Sequence, residues 1–458
     1  PVGLDFGSRE TLSPPDPDNE YDLRAADGSR GYLPVTMPSI VLILPESSYR
    51  ADDFLSAAAR LGLRVITASD RCHVLAEEWT EGSLPLDFTK PESAARKLAE
   101  EVKAEAPVAV LGTDDRTAVI AALAASELGL PHNPPAAVEA ARNKAQARER
   151  LRAAGLPVPW FEVVKRDLPR AELDCLAVRV PYPCVVKALS LSASRGVIRA
   201  DDSAGFHVAF TRVADLLRSP QIGARRDPET ARILVEQFLP GPEVAVEGLL
   251  TAGNVSVLAF FDKPDPLDGP YFEETLYVTP SRHPEPLQSA CAAAVQEATR
   301  ALGLVHGPVH AELRLTPDGP RILEVAARSI GGLCGRTLRF GVGIALEELL
   351  LRHAIDPASA LPTDRERRAA GVLMLPIRRG GVLQEVRGIE SAKSVPGIED
   401  VVITAHLDEE IVPLPEGSSY LGFAFARGDS PAQVEAALRE GGSRIEMVVA
   451  PKLRVTRG

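Results

Sequence analysis

Short runs of consecutive apolar residues alternate with amphipathic segments in the first part of the chain. Residues 39–44 and 108–111 are continuous apolar runs, which are typical of buried parallel strands. Apolar residues recur with helical spacing at residues 52–61 and 117–128. This alternation of strands and helices predicts a small doubly wound α/β domain over residues 37–135.

The rest of the chain divides by the same patterns into further units. A helix over about residues 136–154, which carries several arginines, ends before Pro157, since proline does not continue a helix. The predicted units are an arm over 1–36 that is rich in Pro, Asp, Gly and Ser, the α/β domain over 37–135, a linker helix over 136–155, a compact α+β unit over 156–236, a larger unit over 237–365, and a C-terminal α+β subdomain over 366–458.

A β-hairpin is predicted where residues 317–319, Pro-Asp-Gly, separate two alternating apolar runs. If these residues form a three-residue loop, Thr316 pairs with Pro320 and Glu312 falls opposite Glu324. Side chains alternate between the two faces of a strand, so both glutamates then lie on the same face of the hairpin.

Two glutamates in direct opposition are unusual in a structure selected only for stability. Like charges opposite each other in a sheet cost roughly 0.2–1 kcal/mol. A divalent cation between Glu312 and Glu324 turns this unfavourable interaction energy into a favourable one. Mg²⁺ is commonly held by one or two carboxylates plus phosphate oxygens. The alternative is a solvated hairpin face that carries charges. His310 and Arg328 are expected on the same face as the glutamates.

A second candidate site begins at Lys187, which ends an apolar strand. The loop that follows, residues 190–196, consists mostly of small residues, which allow backbone N–H groups to approach phosphate oxygens. The lysine would add a positive charge. The loop lacks the Walker A pattern. An ordinary polar surface loop beside a lysine is the alternative.

Composition narrows the class of protein. The chain has 458 residues, enough for two to four domains, and a formal net charge of −12. That charge argues against a nucleic-acid partner or an anionic membrane surface. Five scattered cysteines and the lack of a long apolar run favour a reducing, cytoplasmic location without a membrane span.

Taken in order, these segments resemble the ATP-grasp family of ligases, and in particular its carboxylate–amine ligase branch. The resemblance covers about residues 37–360. It rests on Asn143-Lys144, on Lys187 with its loop, on residues 235–247, and on the hairpin followed by an arginine and two glycines. The segment near residues 374–398 is similar to L-amino-acid ligases that make dipeptides.

The resemblance implies an ATP-grasp fold of mixed α/β and α+β class, with an N-terminal doubly wound domain, a small lid domain, a large catalytic domain and a C-terminal α+β subdomain. It also implies roles for individual residues. Those roles are ATP phosphate binding by Lys144, Lys187, Ser192, Ser194, Arg195 and Gly196; adenine contact, largely through the backbone, by Glu236, Gln237, Phe238 and Leu239; ribose binding by Glu243; Mg²⁺ or Mn²⁺ binding by Glu312 and Glu324; and stabilisation of an acyl phosphate by Arg328.

The implied substrate pocket is less sharply defined. Glu273 is the first candidate to bind a substrate ammonium group and Glu274 the second, with the alternative that both only cap a polar loop. Tyr271 is expected to form a wall of the pocket. The remaining predicted substrate contacts are His310, Arg328, Gly331 and Gly332. A simple hydrogen-bonded histidine is an equal interpretation of His310.

The implied reaction joins a small-molecule acid and an amine, with amino acids favoured, at the expense of ATP. Related enzymes are often dimers, so a homodimer is included in the expectation. One residue departs from the family pattern: Ala326 stands where an asparagine usually follows the second metal glutamate. Two alternatives stay open, namely a ligase for a non-amino-acid pair and a nucleotide-binding protein with an impaired site.

Overall fold

The computed structural model describes residues 37–46, 48–70 and 83–452. The predicted arm, residues 1–36, lies outside the described residues. None of the described helices has the length and apolar character that crossing a bilayer requires. The helices are α1 Ala51–Arg60, α2 Pro91–Val102, α3 Asp115–Leu128, α4 Pro135–Arg142, α5 Lys144–Ala153, α6 Arg170–Arg179, α7 Ser203–Arg218, α8 Pro220–Gly223, α9 Glu285–Leu302, α10 Leu346–Ile355, α11 Ile389–Lys393 and α12 Pro431–Ser443.

The strands form five sheets among the described residues. The strands are β1 Ser39–Ile43, β2 Arg64–Ser69, β3 Ser83–Pro85, β4 Ala109–Gly112, β5 Phe161–Lys165, β6 Cys184–Ala188, β7 Val197–Ala200, β8 Arg232–Gln237, β9 Glu243–Thr251, β10 Asn254–Lys263, β11 Leu276–Thr279, β12 Gly307–Thr316, β13 Gly319–Ala326, β14 Arg339–Phe340, β15 Ile344–Ala345, β16 Ala369–Leu375, β17 Gly381–Arg387, β18 Ile398–Ile403, β19 Glu410–Ile411, β20 Gly422–Gly428 and β21 Glu446–Ala450.

The N-terminal sheet is parallel, with the strand order β3-β2-β1-β4. Its central strand is buried on both faces: Ile40 and Leu42 pack into one core, Val41 and Ile43 into another. Since each face is covered, residues 40–43 are all apolar, and the one polar residue, Ser39, lies at the start of the strand. The predicted doubly wound domain is confirmed. At the carboxyl edge of this sheet, β4 leads into α3, which begins with Asp115 of the candidate active site.

The predicted single helix over residues 136–154 is wrong, because the structure has two helices, α4 and α5. They meet at Asn143, whose backbone is extended at φ −93° and ψ 107°. The Asn143 side chain accepts hydrogen bonds from the amides of Ala145 and Gln146, at 3.1 and 3.2 Å. Asparagine is a favoured N-cap residue. The break makes Lys144 the first residue of α5 and places it against the loop of residues 190–196, which we call the lid loop.

The sheet β5-β8-β6-β7 is antiparallel and lies within the predicted unit 156–236 and the following residue. One face is covered by α6 and α7. Phe206 and Phe210 of α7 pack there with Val186 and Val235 of the strands. This compact core carries β6, which presents Lys187, and the loop that follows it. Its extent matches the unit that was predicted to form a lid, and the domain boundaries themselves stay predictions.

The largest sheet has eight strands in the order β13-β12-β9-β10-β11-β16-β20-β18, and its neighbouring strands are antiparallel. Its first five strands come from the predicted unit 237–365. Its last three come from the predicted subdomain 366–458. The sheet therefore continues across the boundary predicted at residue 365, and the C-terminal region brings side chains to the same cavity as the hairpin.

The hairpin β12–β13 has the predicted pairing of Glu312 with Glu324, but not the predicted turn. Thr316 pairs with Gly319 rather than with Pro320, so the loop has two residues. A register shift after Glu312 adds one residue to β13 and restores the opposition. β-bulges of this kind are frequent next to active sites, where they redirect a side chain.

Candidate active site

A cavity of about 560 Å³ lies between the N-terminal sheet, the sheet β5-β8-β6-β7 of the predicted lid and the eight-stranded sheet. A pocket of this size suits a nucleotide or another small molecule. It brings together most of the site residues that the sequence predicts. The predicted residues in its wall are Lys144, Lys187, Ser192, Ser194, Glu236, Gln237, Phe238, Leu239, Glu243, His310, Glu312, Glu324, Arg328, Gly331 and Gly332.

Four predicted residues do not line this cavity. Arg195 faces a separate cleft between the lid and the C-terminal region. Gly196 turns the backbone at φ 67°, beside the lid core. Tyr271 packs against the lid, where it forms a bridge with Ile198. Glu273 is half-buried, and Glu274 takes the place in the wall that was expected of its neighbour.

Lys144 and Glu324 form an ion pair inside the cavity. The Nζ atom of Lys144 lies 3.4 Å from Oε2 of Glu324 and donates to the carbonyl of Leu191 at 3.0 Å. The lysine is the first residue of α5, so its position follows from the Asn143 cap. It thus connects the hairpin carboxylate to the small-residue loop, where the sequence predicts phosphate binding.

Lys187 forms an ion pair with the side chain of Glu236, a residue that was expected to contact adenine largely through its backbone. The buried side chain of Glu236 pairs with Lys187 and with Arg148, whose Nε lies 3.0 Å away. Burial acts to raise the pKa of Glu236, but the two cations outweigh it and lower the pKa to about 2. Glu236 therefore positions Lys187, which remains in the wall of the cavity.

The adenine end predicted from the sequence is apolar. Phe238 stacks with Phe272 at a ring distance of 6.2 Å. The guanidinium groups of Arg199 and Arg314 lie 4.4 and 5.4 Å from the centre of the Phe238 ring. These contacts fix the ring beside Leu239, so the cavity has a rigid apolar wall of the kind that accommodates a flat base.

The predicted ribose ligand, Glu243, is already bound by two cations. Its Oε1 accepts from the Nζ of Lys263 at 2.6 Å, and its Oε2 lies 3.2 Å from Nε of Arg314. A hydroxyl group would have to share these oxygens. The ribose role of Glu243 stays a prediction.

Lys263 is a buried cation beside the cavity wall that pairs with three carboxylates, and the sequence analysis missed it. Its buried Nζ donates to Glu243, Glu274 and Glu312 at 2.6, 2.6 and 2.9 Å. The oxygens of these carboxylates lie within 4.8 Å of one another. A lysine at the end of the apolar strand β10 is the same signal that identified Lys187. Glu243 and Glu312 lie on β9 and β12, and Glu274 lies in the loop before β11, so the three carboxylates leave no local pattern.

Glu274 shares the single ammonium of Lys263 with two other carboxylates. Burial raises the pKa of Glu274 to about 7, Lys263 opposes that shift, and the negative charge of Glu312 adds to it. The hydroxyl of Tyr277 donates to Glu274 at 2.8 Å. The pKa of Glu312 is held well below its usual range: burial opposes this, and the charge of Lys263 outweighs it.

His310 is hydrogen-bonded on one side and approaches Glu312 on the other. Its Nδ1 lies 3.1 Å from Glu247, and its Nε2 lies 3.6 Å from Glu312. Burial alone would lower the pKa of His310, but the hydrogen bonds and charges of the two glutamates raise it to about 9. Glu247 also accepts from the amide of Ile330 at 3.0 Å. His310 therefore ties the hairpin to the turn that follows it.

Arg328 lies in the cavity wall in a two-pronged contact with Asp115 of the N-terminal domain. Its Nε and Nη2 atoms lie 2.8 and 3.2 Å from the two Asp115 oxygens. Burial works against the charged form of Arg328, but Asp115 prevails and raises the pKa of the arginine. The sequence analysis did not identify Asp115 as a site residue. The side chain is thus oriented with its charge maintained.

Three family patterns match the chain one after another. The ATP-grasp N-terminal domain matches residues 55–132, the ATP-grasp domain matches residues 180–337, and the L-amino acid ligase C-terminal domain 2 matches residues 373–450. The crystal structure of L-amino acid ligase from Bacillus licheniformis is similar with a TM-score of 0.76 and 28% identity, over 90% of this chain and 99% of that one. The chain belongs to the ATP-grasp ligases.

Two curated relatives are carnosine synthases. Carnosine synthase 1 of Gallus gallus is 31% identical over 355 residues, which are 73% of this chain and 38% of that protein. Carnosine synthase 1 of Homo sapiens is 28% identical over 410 residues, 84% of this chain and 47% of that protein. This ATP-grasp ligase spans less than half the length of either relative.

The C-terminal region of this ATP-grasp ligase completes the cavity, which sequence reasoning did not predict. Met374 and Tyr420 line the end near Gly332. A Cβ atom at Gly332 would lie 2.9 Å from the ring of Phe423, and the residue has φ 62°. Only glycine fits there without displacing the ring. These neighbours are far apart in the sequence, so no motif could have found them.

Proposed function

We propose that this ATP-grasp ligase joins the carboxylate of one small molecule to the amine of another and converts ATP to ADP and phosphate. The observation that carries the proposal is the composition of one cavity. Lys144 and Lys187 lie near an apolar wall, Glu312 and Glu324 lie opposite each other, and Arg328 lies at the edge of the N-terminal domain. These are the groups that phosphoryl transfer to a carboxylate requires.

ATP fits the chemistry of this wall. Phe238 and Leu239 provide an apolar surface for the base, and the two lysines provide positive charge for the phosphates. Ser192 and Ser194 lie in the wall with their loop, so backbone and hydroxyl donors are available nearby. The predicted contact of Glu236 with adenine is retained only for its backbone, because its side chain is buried between two cations.

A divalent cation fits the carboxylates of the hairpin. Glu312 is held ionised, and Glu324 has Lys144 as its neighbour at 3.4 Å. We infer that these two residues hold Mg²⁺ or Mn²⁺. When bound, the ion would neutralise negative charge on the phosphate oxygens. Ala326 contributes no ligand atom, which leaves the metal to Glu312, Glu324 and non-protein oxygens.

The proposed first step is attack of the substrate carboxylate on the γ-phosphorus of ATP. A phosphorus–oxygen bond forms to the acid, the bond to ADP breaks, and an acyl phosphate results. Lys144 and Arg328 lie where they can offset the charge on the transferred group. Arg328 can bind two oxygens at once because its guanidinium is planar, and Asp115 holds that plane.

In the proposed second step, the bound ammonium loses a proton to solvent, and the resulting amine attacks the acyl carbon. The carbon–oxygen bond to phosphate breaks, phosphate leaves, and the nitrogen releases a second proton as the amide forms. Glu274 is our candidate for binding an ammonium group near this point, since it lines the cavity and shares one lysine with two other carboxylates. Because Glu274 has no second cation beside it among the described residues, its carboxylate favours a positively charged ligand. Amino acids carry the required acid and ammonium, and similarity to an L-amino acid ligase supports a dipeptide product.

The experiment that tests this proposal measures phosphate release from Mg-ATP with amino acids supplied singly and in pairs. We expect release that depends on a particular pair, together with a product whose mass equals the two substrates minus water. Release with another acid and amine would retain the ligase and replace the substrate class. ATP binding without release for any pair would favour the impaired site.

A further inference from the structure

Two segments outside the lid hold it to the rest of the molecule. The first is residues 268–271, where the carbonyl of Pro270 accepts from the amide of Arg199 in β7 at 2.9 Å. The second is residues 415–416. The carbonyl of Pro415 accepts from the amide of Gly196, the last residue of the lid loop, at 2.9 Å. Both contacts reach the lid next to the loop that covers the proposed phosphate site.

Side chains reinforce the second contact. Arg212 of α7 makes a two-pronged ion pair with Glu416, with Nε–Oε1 at 2.5 Å and Nη2–Oε2 at 2.9 Å. The same guanidinium lies 5.1 Å from the centre of the Tyr271 ring and donates to the Tyr271 hydroxyl. A single arginine of the lid therefore connects both segments.

The same two segments reach the substrate end of the cavity within a few residues. Glu274 follows the first segment and lines the cavity, as do Ser418 and Tyr420 after the second. Each segment is thus attached to the lid at one end and exposed to the bound acid or amine at the other. A molecule that orders residues 272–274 or 418–420 also orders the residues that hold the lid.

The strength of the ion pair suits a contact that opens and closes. The relative solvent exposure of the Arg212 side chain is 40%, and that of the Glu416 side chain is 38%. Solvent weakens a pair at this level of exposure, so it contributes modestly to stability. A lid that must open in each turnover requires such a reversible contact.

We propose that Arg212 and Glu416 are positioning residues that couple occupation of the substrate end of the cavity to closure of the lid loop, residues 190–196. This deepens the proposed function and rests on it for the identity of the reaction. Substrate binding would then favour closure of the lid loop onto the bound ATP. Without substrate, the loop would stay open more often and ATP would be consumed slowly.

Hydrogen exchange of the amides in residues 190–197, measured on the full chain, tests the contact without any assay of activity. Glu416→Arg opposes Arg212 with a like charge, and we expect exchange about fivefold faster. The exchanged pair Arg212→Glu with Glu416→Arg restores the attraction and should return the rate close to that of the unaltered chain. Unchanged exchange in Glu416→Arg, or no recovery in the double variant, overturns the proposal.

The matched control is Arg218→Gln on the same helix. Arg218 has comparable exposure, and its partners Asp167 and Asp215 lie within the lid unit. We expect exchange in residues 190–197 to stay unchanged in this variant. An increase equal to that of Glu416→Arg would show a general loosening of the lid and would also overturn the proposal.

A second arm tests the coupling. With a non-hydrolysable ATP analogue present, adding a substrate pair that supports turnover should slow exchange in the unaltered chain and have little effect in Glu416→Arg. The KM for ATP should rise about fivefold in that variant, while kcat changes less. Retention of the full substrate effect overturns the coupling. If no pair supports turnover, the proposed function fails, and the first arm still decides whether the contact holds the lid.

Discussion

The two ends of the cavity distribute charge in opposite ways. At the nucleotide end, the carboxylate of Glu236 is shared by two cations, Arg148 and Lys187, and its pKa falls to about 2. At the substrate end, one cation, Lys263, is shared by three carboxylates, and the pKa of Glu274 rises to about 7. Among the described residues, Glu274 has no other cation beside it, so its charge is the least compensated at the second end.

This difference corresponds to the ligands proposed for the two ends. Phosphates bring negative charge, which the surplus cation at the first end can bind. An amino-acid substrate brings an ammonium group, which Glu274 at the second end can bind. Burying unbalanced charge is costly in the empty protein. Each end is therefore expected to be more stable with its ligand than without it.

The comparison predicts its largest effect at Lys263. Lys263→Met removes the cation that three carboxylates share. Arg314 and His310 still lie beside two of them, but Glu274 keeps no ion-pair partner among the described residues. Removing one partner of a buried charge cluster costs about 3–5 kcal/mol. Lys187→Met is the matched control, since Arg148 still neutralises Glu236. Chemical denaturation of both variants at neutral pH measures the difference. Equal losses of unfolding free energy would remove the distinction between the two ends.

The next effect concerns the proposed metal ligand. Glu312→Gln keeps the shape of the side chain but removes its negative charge, and we expect kcat to fall by about 10²–10³ while the fold is retained. The control is Glu385→Gln, which alters an exposed pair with Arg387 on β17. Steady-state kinetics over a range of Mg²⁺ concentrations measures the kcat of both variants. Full activity of Glu312→Gln would disprove the metal assignment.

A smaller effect separates the neighbours Glu273 and Glu274. Removing the charge from a carboxylate that binds an ammonium costs about 1.5–3 kcal/mol, so Glu274→Gln should raise the KM for the amine roughly 10- to 100-fold. Glu273→Gln should leave that KM within about twofold. The reverse result would restore the order of candidates that the sequence favoured.

The smallest effect is a dependence of stability on pH. The folded pKa of Glu274, about 7, lies above its ordinary value of 4.5, so the folded state binds an additional proton between these values. The contribution of this group is present below pH 4.5 and is lost as the pH rises to 7, by at most about 1.4 kcal/mol per pH unit. Denaturation without metal ions should show that Glu274→Gln lacks this slope. Parallel curves would contradict the charge difference between the ends.

Much of the fold and part of the site followed from local patterns. The apolar runs predicted β1 and β4, the helical spacing predicted α3, and the alternating runs predicted the hairpin. The structure brings most of the predicted site residues to one cavity. Two local errors, the continuous helix at residues 136–154 and the three-residue turn, have local causes: the Asn143 cap and a bulge in β13.

Side-chain periodicity, strand-end lysines and small-residue loops are properties of neighbouring residues, and the sequence by itself determined them. It thereby determined the elements, their order and the positions of Lys187, Glu312 and Glu324. The tertiary structure alone decided which charges meet. The convergence of carboxylates on Lys263 and the contact of Asp115 with Arg328 join residues that lie far apart in the chain. Such contacts depend on how the sheets pack, and burial then sets the pKa values of the groups involved.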